Sequence, residues 1–139
     1  MSRSISDLAA GFNDCTLPKA EWTHEAHLRV GLWHLLHHDP DESLDRLRTG
    51  IRKYNAATGG TNTETSGYHE TITRFYFWLL SQFVENSDPA RPVEELEVAM
   101  LRVCSPKEIP FEYWSRERLL SIDARLAWLE PDLKPLVQL

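Results

Sequence analysis

Apolar residues recur along this chain at helical rather than strand spacing. Ile5, Leu8, Ala9 and Phe12 share one face of a helix over residues 1–14, which Thr16-Leu17-Pro18 interrupts. Thr23 is placed to cap a helix running to His38. Asp39-Pro40-Asp41 ends it, because proline disfavours helix at the residue before it. From Asp41 or Ser43 a further helix carries Leu44, Leu47, Ile51 and Tyr54 in a single amphipathic stripe. Residues 55–67 are polar, rich in threonine and glycine and without period, so they form a loop. Its length is one at which loops often carry function, and it ends beside His69, where it could act as a lid or serve only as a connector. Residues 68–85 make a strong helix, and Asn86 to Pro92 a turn with two prolines. Val93, Leu96, Met100 and Val103 then stripe a helix that Ser105-Pro106 terminates. Ser115 caps a short helix through Leu120 and Ser121 another through Leu129, closed by Glu130-Pro131-Asp132. No alternating β-branched run bounded by a hairpin turn occurs. The expectation is an all-α, compact single-domain helical bundle of about five to seven helices over residues 1–139.

The histidines change this plain picture. Five of the six fall between His24 and His38, and the sixth is His69. His24 lies roughly 140° around the helix from Arg29, which marks the expected solvent side, so His24 points inward with Gly31 and Leu35. His69 and Thr73 share a stripe with Leu80 and Phe83, while Glu70 and Arg74 fall on the expected wet side. His24, His27 and His69 all sit in a first turn, where the positive helix end disfavours imidazolium. A neutral imidazole is the form that ligates metal or acts as a base. Two histidines at i, i+3 plus one from another helix would make a three-imidazole site with an open position. A divalent transition metal is therefore expected at His24, His27 and His69, with zinc, iron, nickel and copper indistinguishable. Glu25 and Glu70 are the candidate catalytic carboxylates, and Tyr68, Thr73, Tyr76 and Arg125 the candidate substrate pocket. The alternatives are a metal-free polar pocket binding a small molecule, and core histidines bonded to neighbouring hydroxyls. His34, His37 and His38 are expected at the surface or the helix end.

Composition narrows the partners. The formal charge is −6, from 15 basic and 21 acidic side chains, with no basic stripe, which excludes the usual nucleic-acid footprint. No stretch approaches the ~18 consecutive apolar residues of a membrane span. The first residues carry an early acid and no apolar core, unlike a secretory signal. Cys15 and Cys104 therefore read as reduced thiols of a cytoplasmic protein, for which a small-molecule partner and a homodimer are both expected. No phosphate-binding loop, dinucleotide fingerprint or calcium loop is present.

The motifs Trp22-Thr23-His24-Glu25-Ala26-His27-Leu28 and Gly67-Tyr68-His69-Glu70-Thr71-Ile72-Thr73, with the ending Trp128-Leu129-Glu130-Pro131-Asp132-Leu133, resemble a family of small bacterial proteins of uncharacterised function. That resemblance implies that the two histidine motifs belong together and brings no activity with it. A looser similarity is to the DinB-like helical bundles, in which three histidines hold a metal; the histidine spacing here departs from theirs.

Overall fold

The computed structural model describes residues 3–137, and among them every regular element is helical. The helices are α1 (Ile5–Asn13), α2 (His24–His37), α3 (Pro40–Ala57), α4 (Glu70–Glu85), α5 (Val93–Cys104), α6 (Arg116–Leu119) and α7 (Ile122–Leu126). Single 3₁₀ turns span Lys19–Glu21 and Ile109–Glu112. The all-α expectation is met. Met1 and Ser2, with which the expected first helix begins, lie outside the described residues. No helix among the described residues is long and apolar enough to cross a membrane.

Most helix starts obey local chemistry. Ser4, Thr23, Asp39, Ser115 and Ser121 each accept a hydrogen bond from a backbone N–H in the first turn. Asp39 rather than Asp41 or Ser43 caps α3, because Pro40 is suited to the first helical position and needs no N–H partner there. α3 also runs on to Ala57, so the loop is shorter than expected. α7 stops at Leu126, since Ala127 is pulled into an extended conformation. There the buried Thr71 hydroxyl donates to the Ala127 carbonyl (2.9 Å) and accepts from Leu129 N–H (3.1 Å).

α2 is the axis of the molecule: α1, α3, α4 and α5 all pack against it. It feeds two separate core clusters. Leu28 and Leu32 join Phe75, Leu80, Met100 and Trp114 on one side. Ala26 and Val30 join Phe12, Leu17, Leu47 and Tyr54 on the other. Packed on most of its circumference, α2 is exposed only at Glu25 and in its last turn at Leu36 and His37, and this corrects two expectations. Arg29 is half-buried, paired with Glu97 of α5 and donating to the Arg3 carbonyl (2.7 Å). His34 is fully buried, with its Nδ1–H donated to the Val30 carbonyl (2.8 Å). His37 is exposed as expected, and His38 is half-buried. On α5 the buried stripe is Leu96, Met100 and Cys104, whereas Val93 and Val103 face solvent.

Close approach of α1 to α3 depends on Gly50. A Cβ there would sit 2.7 Å from the Phe12 ring, which is itself stacked on Trp22 (4.7 Å between centroids) and buried against Tyr54. The ring has no free direction in which to retreat. Gly50→Ala is therefore expected to destabilise the protein by about 1–2 kcal/mol in urea unfolding, the overpacking cost outweighing the ~1 kcal/mol gain in helix propensity. An unchanged or raised unfolding midpoint would contradict this packing.

Candidate functional site

A cavity of about 340 Å³ opens where the two core clusters meet. α2 contributes His24, His27, Leu28 and Gly31 to its wall, and α3 contributes Leu47 and Ile51. From α4 come Ile72, Thr73, Tyr76, Phe77 and Leu80. Among the described residues no aspartate, glutamate, lysine or arginine lines it. Gly31 brings α2 and α4 together: a Cβ there would lie 2.7 Å from the Leu80 side chain. The expectation that Gly31 serves close helix approach is met.

The polar part of the wall is made by two imidazoles whose protons are already assigned. His24 Nε2–H donates to the Ser105 carbonyl at the end of α5 (3.0 Å), and its ring meets Tyr76 edge-on at 5.2 Å. His27 Nδ1–H donates to the Thr23 carbonyl (2.7 Å), and its ring stacks on Trp22 at 3.8 Å. A carbonyl only accepts, so each of these nitrogens carries the proton. In the neutral ring the other nitrogen, Nδ1 of His24 and Nε2 of His27, is then a bare lone pair. Burial pushes the His27 imidazolium down to about 4, and burial likewise lowers His24. Tyr76 is raised to about 12 by the same desolvation.

His69 does not join them. It is the N-cap of α4: its Nδ1 accepts from Ile72 N–H (3.1 Å), and its Nε2–H donates to the Leu119 carbonyl (2.9 Å). Both ring nitrogens are spent on backbone, leaving no lone pair for a metal. The partners are main-chain groups rather than the threonine or tyrosine hydroxyl that proximity in sequence had offered. Among the described residues no group of three or more histidine, cysteine, aspartate or glutamate side chains is placed to hold a metal ion. The residues present therefore do not fit the three-imidazole centre expected from the histidine spacing.

The remaining candidates scatter. Glu25 is exposed, and Glu70 is turned away into a clamp. Arg48 of α3 donates to both Glu70 oxygens (2.9 and 2.8 Å), and the Tyr68 hydroxyl adds a third bond (2.6 Å). Burial raises the Glu70 pKa, but hydrogen bonds from Arg48 and Tyr68 outweigh it and hold the carboxyl below its ordinary range. Glu70 is thus neither on a wet side nor in the cavity, and Arg74 lies over the Trp128 ring at 4.7 Å. Arg52 covers the Tyr68 ring at 4.4 Å. Arg125 donates to the Gly67 carbonyl (2.7 Å) and fixes the approach to α4. Of the expected pocket residues, Thr73 and Tyr76 line the cavity, whereas Tyr68 and Arg125 do not.

The loop before α4 is no lid over this cavity, since none of its residues lines it. Asn62 folds it back on α3, donating to the Arg52 carbonyl (3.0 Å) and accepting from Asn55 and from Tyr68 N–H (both 3.1 Å). Gly67 has φ +81°, and a Cβ there would overlap the Thr61 carbonyl. Sequence reasoning also missed Ser105 and Arg48, partners 81 and 22 residues away from His24 and Glu70. Comparison with family models, curated proteins and solved structures finds no match for this chain.

Two outcomes follow from these bonds. His24, His27, His34 and His69 all titrate below an ordinary imidazole, with burial the largest cause in each. Between about pH 6.5 and the lower folded values the unfolded chain binds more protons. Stability is therefore complete above about pH 6.5 and falls as the pH drops from there, before ordinary carboxylates titrate. Urea midpoints measured from pH 7.5 to 5 should trace this fall, and His27→Phe should flatten it. An unaltered slope in that variant would show that His27 is not a buried neutral imidazole. Separately, His69→Phe should cost about 1–3 kcal/mol by leaving Ile72 N–H and the Leu119 carbonyl unpaired. His69→Asn should recover part of the loss by restoring the cap. Equal loss in both variants would contradict the capping role.

Proposed function

We propose that this protein is a binding module for a small, uncharged, largely apolar molecule held in the cavity between α2, α3 and α4. The observation that carries this reading is the composition of the wall. Leu28, Leu47, Ile51, Ile72, Phe77 and Leu80 supply an apolar body, and His24, His27, Thr73 and Tyr76 supply a few polar groups. Its volume falls within the range of small-molecule sites. With no ionised side chain on the wall, a charged ligand would be desolvated without compensation. Catalysis is less well served. A general base works best with a pKa near the operating pH, and an imidazole depressed to about 4 is a weak one. Glu70 is occupied by Arg48, and Glu25 faces solvent. Both cysteines are free, Cys104 in the core, which favours a reducing compartment such as the cytoplasm.

The test is a panel of one- and two-ring apolar molecules, read by thermal unfolding and calorimetry. An engineered apolar cavity of ~150 Å³ accepts benzene, so about 340 Å³ has room for two fused rings. Bound members of the panel should raise Tm in the wild type. They should have no effect on Ile51→Trp, or on Leu47→Phe, which fill the cavity from α3. Lack of binding by every member at millimolar concentration would overturn the proposal. So would uptake of a full equivalent of zinc by untagged protein that His24→Ala abolishes, which would favour a metal site instead.

A further inference from the structure

The ligand's polarity is written into the two imidazoles, and this step rests on the cavity being a ligand site. A neutral histidine offers a ligand either a donor or an acceptor, depending on where its proton sits. Here that choice is made outside the cavity. His24 gives its proton to the carbonyl of Ser105 and His27 gives its own to the carbonyl of Thr23. Both rings line the cavity, and the nitrogen each has left to offer is a lone pair, not an N–H. Moving either proton to the other nitrogen would set a ring lone pair against a carbonyl lone pair at 3.0 or 2.7 Å, so the tautomers are locked. The Tyr76 hydroxyl rotates to donate or accept, so it follows the ligand rather than selecting it, while the Thr73 hydroxyl is engaged by Tyr68.

We infer that the cavity takes a two-ring aromatic molecule bearing a hydrogen-bond donor, an N–H heteroaromatic or a phenolic O–H, and discriminates against the same body with only acceptors. A bound acceptor-only molecule would leave the imidazole lone pairs buried and unpaired, the costly outcome for a polar group. A donor satisfies one of them, and the Tyr76 hydroxyl can turn towards an acceptor the ligand also brings. The aromatic side chains of the wall, Tyr76 edge-on to His24 and also Phe77, suit a flat body.

Matched pairs test this by calorimetry on the full chain: indole against 1-methylindole, and 2-naphthol against 2-methoxynaphthalene. Each pair keeps the ring body and removes the donor. The donor member should bind about tenfold tighter or more, a factor equal to about 1.4 kcal/mol. His27→Phe keeps a ring to stack on Trp22 and deletes the lone pair, and His24→Phe does the same on the other side. In whichever of the two folds, the preference for the donor member should shrink while binding of the methylated member persists. A structural role alone would lower both affinities together and leave their ratio unchanged. Equal affinity within both pairs in the wild type would overturn the donor rule and leave the cavity reading standing. No binding of any of the four would overturn both.

Discussion

A buried imidazole N–H must find an acceptor, and in this chain the acceptor is always main chain. His24, His27, His34 and His69 each donate to a backbone carbonyl, as does the exposed His37. The bonds are of two kinds with different consequences. His27, His34 and His37 reach the carbonyl four residues back, within reach of their own helix, and hold nothing together beyond it. His24 and His69 reach carbonyls 81 and 50 residues away. The first pins the start of α2 to the end of α5, and the second pins the start of α4 to α6. A side-chain bond to a carbonyl works only at a fixed distance and direction, so these two contacts set where the helix ends lie.

The second constraint is that α2 is packed between two cores. Two core clusters are built on opposite sides of one helix, and a seam between them is unavoidable. Gly31 closes the seam in one place, where it admits Leu80. Where the facing side chains are Leu28, Leu47, Ile51 and Ile72, the clusters do not interdigitate, and space remains. Close-packed interiors tolerate few voids larger than a water molecule, so a cavity of this size beside two neutral histidines is the least core-like part of the core.

Much of the fold was legible in sequence because it rests on local chemistry. The stripes of α1 and α3, the caps at Thr23, Ser115 and Ser121, and the turn after α4 all depend on residues within one helical turn of each other. The site was half legible. Helical periodicity put His24 and Thr73 on inward faces, and both line the cavity. It could not say that His69, equally inward, faces the Leu119 carbonyl instead of its fellow histidines. Nor could it find Arg48 as the partner of Glu70 or Glu97 as the partner of Arg29, because charges paired across 22 and 68 residues leave no periodic trace. Rules that send charge to the wet side failed wherever a distant partner compensated it.

The polarity of the cavity is thus decided behind its walls. The carbonyl of Ser105 is available to His24 because α5 ends at Cys104, and Pro106 keeps the chain from continuing as helix. The carbonyl of Thr23 is within reach of His27 because Thr23 caps α2 and the ring lies four residues on. His69 holds the first turn of α4 by its Ile72 N–H, and Ile72, Thr73 and Tyr76 follow from that turn into the wall. A wall fixed in this way loses little conformational freedom when something binds against it, which is the condition under which a few polar contacts can discriminate. A metal site needs imidazoles with lone pairs converging from several helices. This chain has instead used His69 as a cap, and the two first-turn histidines that remain come from a single helix. That division of labour follows from where the backbone carbonyls lie, not from the histidines themselves.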